Sequence, residues 1–289
     1  MTSAMFVNDE ARSVITKEYD RLLQATPQAQ SKRVKTRFGD THLLVAGPEN
    51  APPLVVFHGA MASSAIAIRE GHPLLERFRM YVVDVIGQSV KSADVRLRVD
   101  NADYGEWAKD VLDALGLDKA HVYGASYGGF IARKLAEIAP ERIDRLVLLV
   151  PAGVVSGPIF EGITKAGIPL FLYKTMGSKS ALQKLVDAML SAPDAELFEY
   201  FGHAFKHYKL DLTVPPLGSP EPLAKFDRPT LVLAADSDVY FPADAMKKRV
   251  KELFPQAVVE VLANSRHIPA TDEASRARLC ARVTSFLLD

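Results

Sequence analysis

Ser126 stands at the centre of Gly124-Ala125-Ser126-Tyr127-Gly128, a G-x-S-x-G pentad followed by a third glycine, Gly129. A serine hydroxyl is a weak nucleophile until a base takes its proton, and that base needs a third group to fix its tautomer. Of the seven histidines only His267 follows the acidic turn Asp236-Ser237-Asp238. Serine, carboxylate and histidine therefore occur in the chain order expected when the serine rides a strand-to-helix turn. The carboxylate is Asp238 or Asp236. Asp236 lies at the tip of an apolar run and is expected to cap the turn. Asp238, further along the turn and closer to Pro242, has the reach to orient His267 and is the preferred partner. A tetrahedral intermediate also needs two N–H groups aimed at its oxyanion. Tyr127, directly after the serine, would supply one. The other is expected from His58-Gly59-Ala60-Met61, with Ala60 the first candidate and Met61 the second. The His58 imidazole is expected to tie that loop together rather than to do chemistry.

These groups lie far apart in the chain, so a sheet has to gather them. Residues 54–57, 80–85, 120–123, 146–150, 230–235 and 257–262 are short apolar runs, as expected of strands buried on both faces. Between them, residues 63–77, 103–115, 130–139 and 242–254 read as helices, and 272–288 as a closing helix. This alternation predicts an α/β fold with a doubly wound, mostly parallel sheet and right-handed crossovers. Ahead of it, residues 32–38 and 41–46 read as a hairpin turning at Gly39-Asp40. Ala11, Ile15, Tyr19 and Leu22 fall at helical spacing in an N-terminal helix over 9–24, ended by Thr26-Pro27.

The pattern changes at Pro151. Residues 151–226 contain no clear buried strand; they read as helices over about 158–175, 178–191 and 194–208, then a proline-rich exit. This predicts a helical cap of residues 151–226 inserted into a core domain of residues 1–150 and 227–289. Its apolar residues include Ile159, Phe160, Leu170, Phe171, Tyr173, Met176, Leu185, Met189, Phe198, Phe201 and Phe205. Most would fill the cap's own core, and some would turn toward a ligand.

Composition narrows the class. Among 289 residues, 35 Lys+Arg balance 35 Asp+Glu, which gives no electrostatic case for a nucleic acid or an anionic membrane as partner. Cys280 is the sole cysteine, so neither an internal disulfide nor a cysteine metal cluster is possible. Residues 1–12 lack the basic start and apolar core of a signal peptide, and the run 146–155 is too short and broken to span a bilayer. A cytoplasmic location is the expectation. Glu199, His203 and His207 recur at helical spacing and read as solvated surface rather than a metal site; Gly153, Gly157 and Gly162 are too scattered for a dinucleotide loop. No metal and no cofactor is called for.

His58-Gly59, the elbow from Gly124 to Gly129, Asp238 with Pro242, and His267 together resemble the α/β-hydrolase superfamily, and within it carboxylesterase-type members with an inserted helical cap. The resemblance covers about residues 33–150 and 228–288. It implies an eight-stranded, mostly parallel sheet whose first hairpin holds the antiparallel strand. One departure lies after the run at 80–85. Where the family often has D-x-x-G-x-G-x-S, Asp84, Gly87 and Ser92 fit only with one extra residue, and Ser89 replaces the second glycine. The expected activity is hydrolysis of a carboxylic ester of small or medium hydrophobic size through an acyl-enzyme. The same residues would also serve C–C bond cleavage, lactone opening or acyl transfer. A ligand receptor of the same fold, with a slow triad, is a further possibility. Oligomeric state is not legible.

Overall fold

The computed structural model describes residues 4–26, 28–157, 163–209, 211 and 213–289. Its centre is one sheet of eight strands: β1 (Gln30–Thr36), β2 (Gly39–Ala46), β3 (Pro53–Phe57), β4 (Arg79–Val83), β5 (Ala120–Ala125), β6 (Ile143–Leu149), β7 (Thr230–Ala235) and β8 (Val258–Leu262). Their spatial order is β1-β2-β4-β3-β5-β6-β7-β8. β2 is antiparallel to both its neighbours, and the pairs from β4 to β8 are parallel. The continuous apolar runs are the strands covered on both faces: every residue of β7 is buried, as are the last four of β6.

Helices α1 (Asp9–Leu23), α2 (Ser64–Glu70), α3 (Asp103–Leu115) and α4 (Tyr127–Ile138) precede the middle of the chain. Helices α5 (Ile168–Met176), α6 (Lys179–Met189) and α7 (Ala195–His207) lie between β6 and β7, and α8 (Ala243–Leu253) and α9 (Glu273–Leu288) complete the set named here. One face of the sheet packs on α3, α4 and α8 through Trp107, Phe130 and Val250. The other packs on α2 and α9 through Ile68, Val283 and Phe286. A third apolar cluster joins α1 and α2 to α6 and α7, using Ile15, Tyr19, Leu185 and Phe201. In α1 the buried residues are Ala11, Ile15, Tyr19 and Leu22, the stripe its spacing predicts. Among the described residues of 151–226 there is no strand, only isolated bridges at Leu190 and Tyr208. The expected cap residues Ile159 and Phe160, like Gly162 and Pro27, lie outside the described residues.

Several boundaries differ from those read in the sequence. Thr36 pairs with Gly39, so the hairpin turns at Arg37-Phe38 and not at Gly39-Asp40. That turn is held from outside, because the Arg37 guanidinium is bound by Asp110 and Glu106 of α3. The helix expected over 63–77 stops at Glu70 and continues as a separate turn, His72–Glu76. Pro73 has no N–H for the Arg69 carbonyl, which accepts instead from the Arg276 guanidinium at 3.2 Å. β4 ends at Val83, since the Asp84 side chain draws the chain into a polar cluster. α4 begins at Tyr127, three residues earlier than its apolar pattern suggests.

Candidate active site

The serine is presented by strain. β5 runs into α4 through Ser126, whose φ of 51° and ψ of −113° lie outside the ordinary wells. Such a residue costs about 1–3 kcal/mol and persists only where its surroundings fix it. Here a Cβ on Gly128 would collide with the Phe57 carbonyl, and one on Gly124 with Gly128 itself. The two glycines thus let strand and helix close to a distance that lifts the hydroxyl above the sheet edge. The Ser126 carbonyl accepts from Gly129 and Ala152, which anchors the elbow to the chain leaving β6.

His267 reaches the serine from the loop after β8. Its Nε2 lies 2.9 Å from Ser126 Oγ, and its Nδ1 lies 2.9 Å from Asp238 Oδ2. A carboxylate facing Nδ1 holds the proton there and leaves Nε2 as the acceptor. The Asp238 side chain is fully buried, and its other oxygen accepts from the amides of Tyr240 at 2.8 Å and Phe241 at 3.1 Å. Asp236 does a different job. It is exposed and accepts from the amides of Asn264 at 2.8 Å and Ser265 at 2.9 Å, and these bonds hold its carboxyl below the usual range. It braces the loop that carries His267, whereas Asp238 touches the ring.

The loop opposite the serine is held on both sides of one residue, through its N–H and its carbonyl. Met61 has φ of 53°, unusual for a residue with a side chain. Its amide donates to Gln88 Oε1 at 3.2 Å, and its carbonyl accepts from the Tyr200 hydroxyl of α7 at 2.9 Å. The Met61 N–H is thus already engaged, which separates it from Ala60. The His58 ring ties the loop as its position suggests: Nε2 accepts from Val85 N at 3.0 Å and Nδ1–H donates to the Gly59 carbonyl at 2.8 Å. Burial lowers the His58 pKa despite the nearby Asp84 carboxylate, in keeping with that neutral form.

Asp84 is the polar anchor under this loop. It is fully buried and accepts from Ser64 Oγ at 2.7 Å, Ser64 N at 2.9 Å and Ser89 Oγ at 2.5 Å, and faces His42 Nδ1 at 2.6 Å. Burial alone would raise its pKa, but these partners outweigh burial and hold it down. The departure after β4 is therefore filled: Ser89, in place of a glycine, supplies a donor, and Ser92 Oγ donates to the Asp84 carbonyl at 2.6 Å. Nothing in residue spacing announces Gln88 or Tyr200, because each acts through a contact that exists only once the chain has folded.

A cavity of about 670 Å³ surrounds Ser126 and His267. On one side it is lined by Leu170, Leu185, Met189, Phe201 and Phe205 from α5 to α7. Those residues face the cavity, while Phe171 and Met176 are exposed. On the other side it runs between α2 and α9 to Tyr123, Glu70 and Cys280. Elsewhere, Glu18, Glu199 and His203 bring ligand atoms within 4.8 Å of one another. Arg21 ion-pairs with both carboxylates, at 2.8 and 3.6 Å, and the His207 ring stacks on His203. No helix among the described residues is long and apolar enough to cross a membrane.

A doubly wound sheet with a strained serine elbow, and a histidine within hydrogen-bond reach of that serine, defines a class of α/β protein. Similarity to known proteins makes the family specific. Residues 52–219, more than half of the chain, match the family model described as alpha/beta hydrolase fold, and the chain belongs to that family. It is 41% identical over 135 residues to carboxylesterase YbfK of Bacillus subtilis (strain 168), a stretch spanning 46% of each chain. It is 28% identical over 276 residues to the uncharacterized carboxylesterase nap of the same organism, covering 88% of this chain and 86% of that one. The crystal structure of carboxylesterase CesB (YbfK) superposes with a TM-score of 0.82 at 26% identity, covering 96% of this chain and 98% of the other.

Proposed function

We propose that this protein is a serine hydrolase that cleaves carboxylic esters of small or medium hydrophobic molecules. One observation carries the reading: Ser126, His267 and Asp238 form a continuous chain of two 2.9 Å contacts at the wall of an apolar cavity. The kinship with carboxylesterases supports it. Ser126 Oγ attacks the ester carbonyl carbon while His267 Nε2 takes its proton. The Ala60 and Tyr127 amides bind the oxyanion. The carbon–oxygen bond to the alcohol then breaks, and His267 returns the proton to the departing oxygen. Water repeats the sequence on the acyl-enzyme and frees the acid. Asp238 keeps the imidazole in the right tautomer throughout.

In this reading residues 151–226 form a helical lid domain, and 1–150 with 227–289 form the hydrolase domain. The scarcity of charge in the cavity favours neutral, apolar substrates over sugars or nucleotides. The chemistry asks for no metal or cofactor. A cytoplasmic setting belongs to the same proposal, since the single thiol, Cys280, is buried in α9 and asks for no oxidising compartment. The test is turnover of short p-nitrophenyl esters by the parent and by Ser126→Ala, which should lose about 10⁴- to 10⁶-fold in kcat. Parental turnover by the variant would end the proposal. Stoichiometric labelling by a fluorophosphonate with no turnover of any ester would point instead to a binding protein.

A further inference from the structure

His267 is flanked in the chain by Arg266 and Ile268, and both neighbours are tied to one serine of the cap. Ser191 Oγ accepts from the Arg266 amide at 2.8 Å and donates to the Ile268 carbonyl at 2.7 Å. The Ser191 amide donates to the same carbonyl at 2.9 Å, and the Ile268 amide donates to the Met189 carbonyl at 2.8 Å. Leu190 and Ile268 make a parallel bridge. The Arg266 guanidinium reaches the carbonyls of Asp187 and Leu190. On the sheet side the same loop is held earlier, where Asp236 accepts from Asn264 and Ser265.

We propose that Ser191 is a positioning residue for the base, acting across the boundary between the two domains. The inference rests on the catalytic reading of His267. The imidazole hangs between two anchors, Asp236 from the core and Ser191 from the cap. Its reach to Ser126 is set by both. A hydroxyl that accepts on one side of a residue and donates on the other fixes the peptide planes from which that residue projects. Residues 187–191 are therefore a mount for the base. They stay docked when substrate enters, because lifting them would draw His267 off the serine.

This role is separable from simple stability. Arg266 is exposed, so water replaces the bond lost by its amide, and the Ile268 carbonyl keeps the bond from Ser191 N. Ser191→Ala should therefore fold with little change in Tm, yet let the ring wander. A misplacement of about 1 Å can cost about a hundredfold in rate. We expect kcat for p-nitrophenyl butyrate to fall about ten- to a hundredfold, with KM within about twofold, and fluorophosphonate labelling of Ser126 to slow in step. Ser191→Thr keeps the hydroxyl and should recover most of the rate. Ser191→Val has the shape of threonine without the hydroxyl and should not.

Equal kcat in the threonine and valine proteins, or parental kcat in Ser191→Ala, would overturn the proposal. The threonine–valine pair decides the matter even if the alanine protein fails to fold. Ser126→Ala is measured alongside. If it keeps esterase activity, the failure belongs to the catalytic reading; if it is dead while the Ser191 variants match the parent, the failure belongs to Ser191 alone.

Discussion

Arg69 of α2 and Asp194, the N-cap residue of α7, meet at 2.5 Å across the seam between α2 and the helices that follow β6. Asp194 uses both oxygens. One accepts from the Leu197 amide at 2.9 Å and starts the helix; the other also accepts from Thr271 Oγ at 2.7 Å. Thr271 lies four residues past His267, so one carboxylate gathers α7, α2 and the segment that follows His267.

The first prediction concerns this junction. Arg69 is 6% exposed, and removing one partner of a buried pair typically costs about 3–5 kcal/mol. Arg69→Leu should lose somewhat less, about 2–3 kcal/mol in urea, because Leu197 N and Thr271 still serve Asp194. Burial would raise the Asp194 carboxyl, but the Leu197 amide, the Thr271 hydroxyl and Arg69 outweigh it and hold it below its ordinary value. A depressed carboxyl contributes stability above the unfolded pKa, and that contribution is lost as pH falls through the folded one. The parent should therefore weaken on acidification below about pH 4, and Arg69→Leu should show a shallower fall. Urea midpoints for both proteins at pH 7 and at pH 3.5 measure it. Parallel curves would show that Arg69 does not hold this carboxyl down.

The second prediction separates the two aspartates of the acidic turn. Asp238 touches the ring, and Asp236 touches only the loop. Asp238→Asn should lower kcat by about 10⁴, the cost of presenting the wrong tautomer. Asp236→Ala leaves that tautomer alone and removes one of two braces, so about a tenfold loss is expected. Measured on one p-nitrophenyl ester, the reverse order would reassign the two residues.

Why Asp238 could be preferred from sequence, while Ser191 could not, is a matter of range. The elbow, the acidic turn and His267 each follow an apolar strand, and strand order fixes which loops share an edge. A serine, a carboxylate and a histidine at three such loops have few ways to meet. Ser191 and Tyr200 act on loops more than 70 residues away, through hydroxyls that no local pattern distinguishes from surface ones. The buried parallel strands were legible because their apolar runs are continuous. The hairpin turn was not, since Arg37 is fixed there by carboxylates of α3 and not by glycine chemistry. The break in the helix expected over 63–77 was missed, because the apolar pattern runs on across Gly71 and Pro73, where the helix stops.

The last prediction concerns how far the cavity extends behind Ser126. Tyr123 lies three residues before Ser126 on β5, which places it about 10 Å deeper along the strand. It lines the same cavity as Cys280 of α9. Burial, aided by Glu70, pushes the Cys280 thiol up to about 11, so at neutral pH the side chain is an uncharged, compact wall. Replacing it changes volume and leaves charge alone. Cys280→Phe should fill the inner end of the cavity at a cost of about 1–3 kcal/mol in stability. Turnover of p-nitrophenyl acetate should survive, while kcat/KM for the octanoate falls about tenfold or more, because a chain of that length needs the inner end. Cys280→Ala enlarges the same space and should shift the preference toward longer chains. If acyl-length profiles of both variants superimpose on the parent's, the space behind Ser126 holds no part of the substrate, and the acyl chain lies on the α6–α7 side, against Leu185, Met189 and Phe201.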